Sequence, residues 1–162
     1  MNDDYEARLT LAATPDDVFD ALTTQDGLSG WWTAVAGSGL TGGELTFTFG
    51  PGSHAVMRVD AAEPGIAVRW TNVACVMDDW VGTSMHFELQ ATPSGGTELR
   101  FRHVGLTPRL ECYTDCKSGW DHFVPTSLRD YVETGAGHPN GSAADLARRE
   151  AREQQRAAAH AG

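Results

Sequence analysis

Several things are scarce in this chain, and each scarcity removes a class of function. Basic residues number 12 against 22 acidic ones, for a net charge of −10. A nucleic-acid surface needs clustered Lys and Arg to replace phosphate counterions, so no nucleic-acid partner is expected. No run nears the roughly 20 apolar residues that cross a bilayer, and the opening MNDDYEARL is acidic where a signal peptide is basic. The expectation is a cytoplasmic protein with no membrane partner. The three cysteines, Cys75, Cys112 and Cys116, are too few for a disulfide framework. Cys112 and Cys116 stand one helical turn apart, but a zinc site wants two more ligands and no CxxC or HxxxH supplies them. Plain reduced thiols are expected, and no metal. A GxSxG elbow is missing, as is a GxGxxG or a glycine loop ending in Lys-Ser/Thr. No catalytic residue and no cofactor is therefore assigned.

What is present suits one folded domain. The chain has 162 residues, of which 41% are apolar, enough for a sizeable core. Residues 1–137 carry 19 acidic and 8 basic groups, whereas 138–162 carry 3 and 4, so the body holds the negative charge. The stretch from Leu110 to Val132 sets Leu110, Tyr113, Trp120, Phe123, Val124, Leu128, Tyr131 and Val132 on a helical period. A long amphipathic helix is predicted over Leu110–Thr134, kinked at Pro125. Gly135 and Gly137 suit its C-cap.

The residues ahead of that helix alternate. Ala7, Leu9 and Leu11 oppose Glu6, Arg8 and Thr10 in a first strand. Thr14, Pro15 and Asp17 read as N-cap, first-turn proline and near capping box of a helix over 15–23, with a second short helix at 28–32. Gly37–Gly43 is a glycine-rich turn. Strand patterns follow at 44–49, 54–61, 66–71, 82–91 and 97–104, joined by Pro51-Gly52, Glu63-Pro64-Gly65 and Pro93-Ser94-Gly95-Gly96. Asp78-Asp79-Trp80 lies in the least periodic part. Short turns favour antiparallel neighbours. The expected fold is α+β: a curved antiparallel sheet of about six to seven strands wrapped around the long C-terminal helix, with two short helices after the first strand. The tail 138–162 has Leu146 as its one large apolar residue and is expected to be a frayed helix or disordered, with no face to dock.

Inward strand positions and the helix stripe collect Phe47, Phe49, Met57, Trp70, Met85, Phe87, Trp120 and Phe123. Such a set makes either a dry core or the wall of a ligand cavity. Trp31-Trp32 serves as a core plug or as a gate. His103 is the main polar exception among inward residues, either bonded to backbone at a strand end or a polar anchor in a cavity. The candidate ligand-binding residues are Trp32, those eight and His103. His86 and His122 read as solvent-facing.

Ala13–Thr23 (ATPDDVFDALT), followed by Gly27-Leu28 and Trp31-Trp32, resembles the opening of the bacterial relatives of the C-terminal domain of the Hsp90 ATPase activator. Gly96–Phe101 (GTELRF) with His103 and Gly105-Leu106 resembles that family's penultimate motif, and Gly119-Trp120 with Leu128 and Tyr131 its final helix. The resemblance implies a START/Bet v 1-like domain over 1–137, the helix-grip fold in which the sheet encloses an apolar cavity. Related domains bind hydrophobic ligands, act as cyclases or hydrolases, or serve as chaperone cofactors, so function follows only by analogy. Three expectations stand. The first is a small hydrophobic ligand between sheet and helix, the second a protein partner of chaperone-cofactor type, and the third acid/base chemistry on a bound ligand.

Overall fold

The structure, a computed structural model, describes residues 3–161. β1 (Tyr5–Leu11) leads through α1 (Pro15–Thr23) and α2 (Gln25–Trp31) into β2 (Ala34–Gly37). Both short helices start on a threonine. Thr14 Oγ1 accepts the N–H of Asp17 at 3.2 Å, and Thr24 Oγ1 accepts that of Gly27 at 3.0 Å, each satisfying a donor with no intrahelical partner. The second helix therefore begins three residues earlier than its apolar residues imply. Gly30 lets it approach its neighbours, since a Cβ there would stand 2.4 Å from the Tyr131 ring.

The strands β3 (Glu44–Gly50), β4 (Ser53–Glu63), β5 (Ala67–Cys75), β6 (Ser84–Ala91) and β7 (Thr97–Val104) complete a seven-stranded sheet in the order β1-β7-β6-β5-β4-β3-β2. Every pairing is antiparallel. Register shifts against β5 at Val56/Met57 and Val59/Ala61 bend β4, which is how a sheet acquires curvature. Glu88 lies opposite Arg100. Ile66 is not in the strand that its alternation suggested. It sits in the turn, 60% exposed, with its N–H on the Glu63 carbonyl. β2, a four-residue edge strand, has too short a pattern to be read from sequence.

The long helix begins at Tyr113 rather than Leu110, because residues 107–110 form a turn closed by Leu110 N–H on the Thr107 carbonyl. It runs as α3 (Tyr113–His122), a π-helical turn (Phe123–Leu128) and α4 (Arg129–Thr134). The π-helical turn holds Pro125, whose missing N–H a wider turn absorbs. Gly135, at φ 87°, ends α4 in the left-handed conformation. Trp120, Phe123, Val124 and Leu128 are buried against the sheet with Phe47, Trp70, Phe87 and Phe101.

The tail departs from its expected lack of a docking face. α5 (Ala143–Ala161) is helical, and its contacts are polar. Arg152 and Arg156 reach Asp115 at 3.0 and 3.2 Å, while Arg148 bonds Ser118 Oγ at 3.2 Å and lies 5.6 Å from the Phe123 ring. Leu146 stays 52% exposed. Reading the tail by apolar residues alone missed a face made of arginines.

Candidate functional site

A pocket of about 300 Å³ opens beside α3, at the end of the sheet where β5 runs on into the Asp78–Trp80 turn. α3 and the π-helical turn supply Cys116, Gly119, Trp120 and Phe123; the β5–β6 connection supplies Val76, Met77 and Trp80. Trp32, which follows α2, and Phe49 of β3 close the inner side. Val76 is 62% and Met77 38% exposed, so the β5–β6 side of the mouth is apolar.

The aromatic wall is a continuous stack. Trp80 and Trp120 lie nearly parallel at 5.9 Å, and Trp120 meets Trp32 at 5.0 Å. Trp32 touches Phe49 at 5.5 Å. Ring pairs in this range add roughly 0.5–1.5 kcal/mol beyond burial, which holds the wall in one shape. Trp80 is fixed further by its Nε1–H, donated to Cys116 Sγ at 3.2 Å.

His103 holds Trp120 in place from behind. Trp120 Nε1–H donates to His103 Nδ1 at 2.9 Å. The proton of His103 is thus on Nε2, which donates to Thr83 Oγ1 at 2.8 Å. Thr83 in turn donates to the Trp80 carbonyl at 2.6 Å. Every side-chain polar atom of the Trp120–His103–Thr83 relay is satisfied, so His103 is a complete internal joint between two pocket tryptophans. Burial drives its pKa down to about 3, against a small upward pull from Asp4. The imidazole is neutral at physiological pH, and this matches its role as acceptor for Trp120.

Of the ten residues read from sequence as ligand-binding, Trp32, Phe49, Trp120 and Phe123 are on the pocket wall. Phe47, Met57, Trp70, Met85, Phe87 and His103 are fully or almost fully buried behind it. The physical reason is the tryptophan pair. Trp32 lies 4.3 Å from Phe47 and 6.1 Å from Trp70, and Trp31 lies 6.5 Å from Phe87, so the pair plugs the inner space. Trp31 is itself tethered by Nε1–H to the Ala21 carbonyl at 2.8 Å.

Sequence reasoning missed Trp80, Val76, Met77, Gly119 and the thiols. A tryptophan in an aperiodic connection was the available signal, because a loop does not need one for its own sake. Cys116, Trp120 and Phe123 follow helical spacing, so Cys116 too was on the stripe.

The ionisable groups at the pocket are few. Cys75 and Cys116 have pKa values raised above the ordinary thiol range, in both cases chiefly by burial. They are protonated thiols at neutral pH and poor nucleophiles. Asp115, at the mouth, is engaged by Arg152 and Arg156. Among the described residues no group of three His, Cys, Asp or Glu side chains is placed to hold a metal ion. Among the described residues no helix is long and apolar enough to cross a membrane.

A sheet gripping a long C-terminal helix, with an aromatic pocket at one end, defines a START-like domain of the SRPBCC superfamily. Within it the chain belongs to the family of Activator of Hsp90 ATPase homolog 1-like proteins, whose match spans residues 12–133. A solved relative is the Aha1 dimer of Colwellia psychrerythraea, 30% identical, with 83% of this chain and 98% of that one covered at a TM-score of 0.73. DynU16, from the dynemicin biosynthetic locus, is 24% identical at a TM-score of 0.66, covering 85% of this chain and 49% of that one. A Mesorhizobium loti protein is 23% identical at 0.65, covering 74% and 90%. These last two speak to the fold alone. No curated protein matches the chain.

Proposed function

We propose that this protein binds a small, mainly apolar or aromatic molecule in the pocket between α3 and the β5–β6 connection. The observation that carries the reading is the open space of about 300 Å³ walled by Trp32, Trp80, Trp120, Phe49 and Phe123. Ligand sites combine such a wall with a few polar groups, and run from about 300 Å³ upward. A dry cavity of about 150 Å³ takes benzene, so this one suits a body of one or two rings. Ligand binding is among the roles that this fold commonly serves.

Gly119 offers the test. A Cβ there would meet only Phe123 Cε2, at 4.0 Å, so a larger side chain grows into the pocket without a backbone clash. An apolar naphthalene-based fluorophore should bind the native protein one to one. Gly119→Leu should weaken that binding at least tenfold while the circular dichroism spectrum is unchanged. Full binding by Gly119→Leu, or none by the parent protein, defeats the reading.

Family membership favours a second reading, a protein partner of chaperone type. Its measurement is the ATPase rate of a bacterial Hsp90-type chaperone with and without this protein. A stimulated rate that survives Gly119→Leu would assign the partner surface elsewhere than the pocket.

A further inference from the structure

The two aromatics of the inner pocket wall stand where the backbone is irregular. Trp32 follows α2 at φ −115° and ψ −81°, in neither helix nor strand. Phe49 sits in β3 where the register against β4 shifts between Thr48 and Gly50, so neither neighbouring strand supplies it a partner. Each nevertheless sets one side of the cavity. Trp32 matters most, because its ring divides the pocket from the core, 5.0 Å from Trp120 in the wall and 6.1 Å from Trp70 behind it.

One residue holds both backbones. Asn140, half-buried between α4 and α5, donates its backbone N–H to the Trp32 carbonyl at 2.6 Å. Its Nδ2 donates to the Phe49 carbonyl at 3.3 Å and to Thr33 Oγ1 at 3.2 Å. Thr33 donates its own hydroxyl to the Thr48 carbonyl at 2.6 Å, which joins the residues adjoining Trp32 and Phe49 as well. The amide has one orientation only. Its Oδ1 accepts from Arg149 Nη2 of α5, a group that only donates, while the Phe49 carbonyl only accepts. Arg149 is anchored in turn on the fully buried Asp145 at 2.7 Å, and Asp145 also takes the Gly141 N–H at 3.0 Å.

We propose that Asn140 is a positioning residue of the ligand pocket, holding Trp32 and Phe49 apart at the spacing that keeps the cavity open, with Arg149 fixing its amide. The inference rests on the ligand-binding reading given above. A wall fixed before the ligand arrives spares the ordering cost of binding, so loss of the clamp lowers affinity. Asn140 and Arg149 lie outside residues 12–133, so the pocket is braced by a segment beyond the part matched to the family.

The test titrates the full-length protein with the naphthalene-based fluorophore. Asn140→Ala should weaken binding about tenfold through the lost bonds to Phe49 and Thr33. Asn140→Asp, which keeps an acceptor for Arg149 but sets an oxygen against the Phe49 carbonyl, should weaken it at least as much. Arg149→Leu should weaken it about threefold, and Arg149→Lys, which keeps a donor for Oδ1, should restore it. Thr14→Ala, which removes the cap of α1 outside the pocket wall, should lower the urea midpoint and leave affinity unchanged. Near-ultraviolet circular dichroism, to which the close indole pairs Trp32–Trp70 and Trp32–Trp120 contribute, should change in Asn140→Ala and not in Thr14→Ala. If the parent binds and Gly119→Leu does not, parent-like affinity in both Asn140 variants overturns this inference and leaves the pocket reading standing. No binding by the parent removes both. Affinity that falls as far in Thr14→Ala as in Asn140→Ala makes the loss one of stability rather than position, and overturns the inference too.

Discussion

At the scale of single residues, His103 ties fold to pocket and sets an acid limit on stability. The unfolded chain takes up a proton near the ordinary histidine value of 6.5, while the folded protein refuses it until about 3. The unfolded state therefore binds more protons between these values, and stability falls as pH drops through that window. Above about 6.5 the penalty is absent. The slope from this one group approaches 1.4 kcal/mol per pH unit. His86 and His122, also lowered mainly by burial, act in the same direction. His103→Gln should flatten the curve of denaturant midpoint against pH between 6 and 4.5, leaving the smaller slope of the other two. An unchanged slope would remove His103 as its source. His103 also shows a limit of sequence reading. Alternation placed it inward correctly, but its partner Trp120 is 17 positions on, and no spacing rule links a strand histidine to a helix indole.

At the scale of elements, what was legible depended on whether the signal was periodic. β7 and α1 match their patterns residue for residue, because each carries a clean period and a turn or cap at its ends. β2 is an edge strand of four residues with no buried side chain, so no alternation marks it. The second helix was legible in its apolar residues but not in its start, which is made by Thr24. Thr24 does two jobs. Its Oγ1 accepts the Gly27 N–H and its hydroxyl donates to the Asp20 carbonyl at 2.7 Å, joining the end of α1 to the beginning of α2. Thr24→Ala should cost about 1 kcal/mol, a typical N-cap loss, read as a shift in urea midpoint with unchanged slope. Thr24→Ser, which keeps the oxygen, should recover most of it. The pocket was half legible for the same reason. The helix stripe gave Trp120 and Phe123, but the β5–β6 connection that carries Trp80 has no period.

At the scale of the molecule, the question is what α5 contributes to a domain whose apolar core is complete without it. The contacts are of a kind that stabilises little individually. The pairs of Asp115 with Arg152 and Arg156 are exposed on the carboxylate side at 57%, and exposed pairs are worth about 0–1 kcal/mol. Arg148 over Phe123 adds roughly 0.5–1 kcal/mol. Asp145 is fully buried, but its partners Arg148 and Arg149 and the Gly141 N–H lie in its own segment, so it shapes α5 rather than docking it. The connecting segment holds independently: Asn140 donates its backbone N–H to the Trp32 carbonyl, and His138 meets Asp130 at 2.7 Å. Ending the chain after Gly141 should therefore remove about 1–3 kcal/mol. That corresponds to a fall in thermal midpoint of roughly 2–12 °C for a domain of this size. Because most of the loss is ionic, the gap between full-length and shortened protein should narrow in about 1 M salt, where the Debye length is about 3 Å. Equal midpoints at low salt would mean α5 is not held in solution. A gap that persists at high salt would assign the docking to the Phe123 contact and not to the arginines.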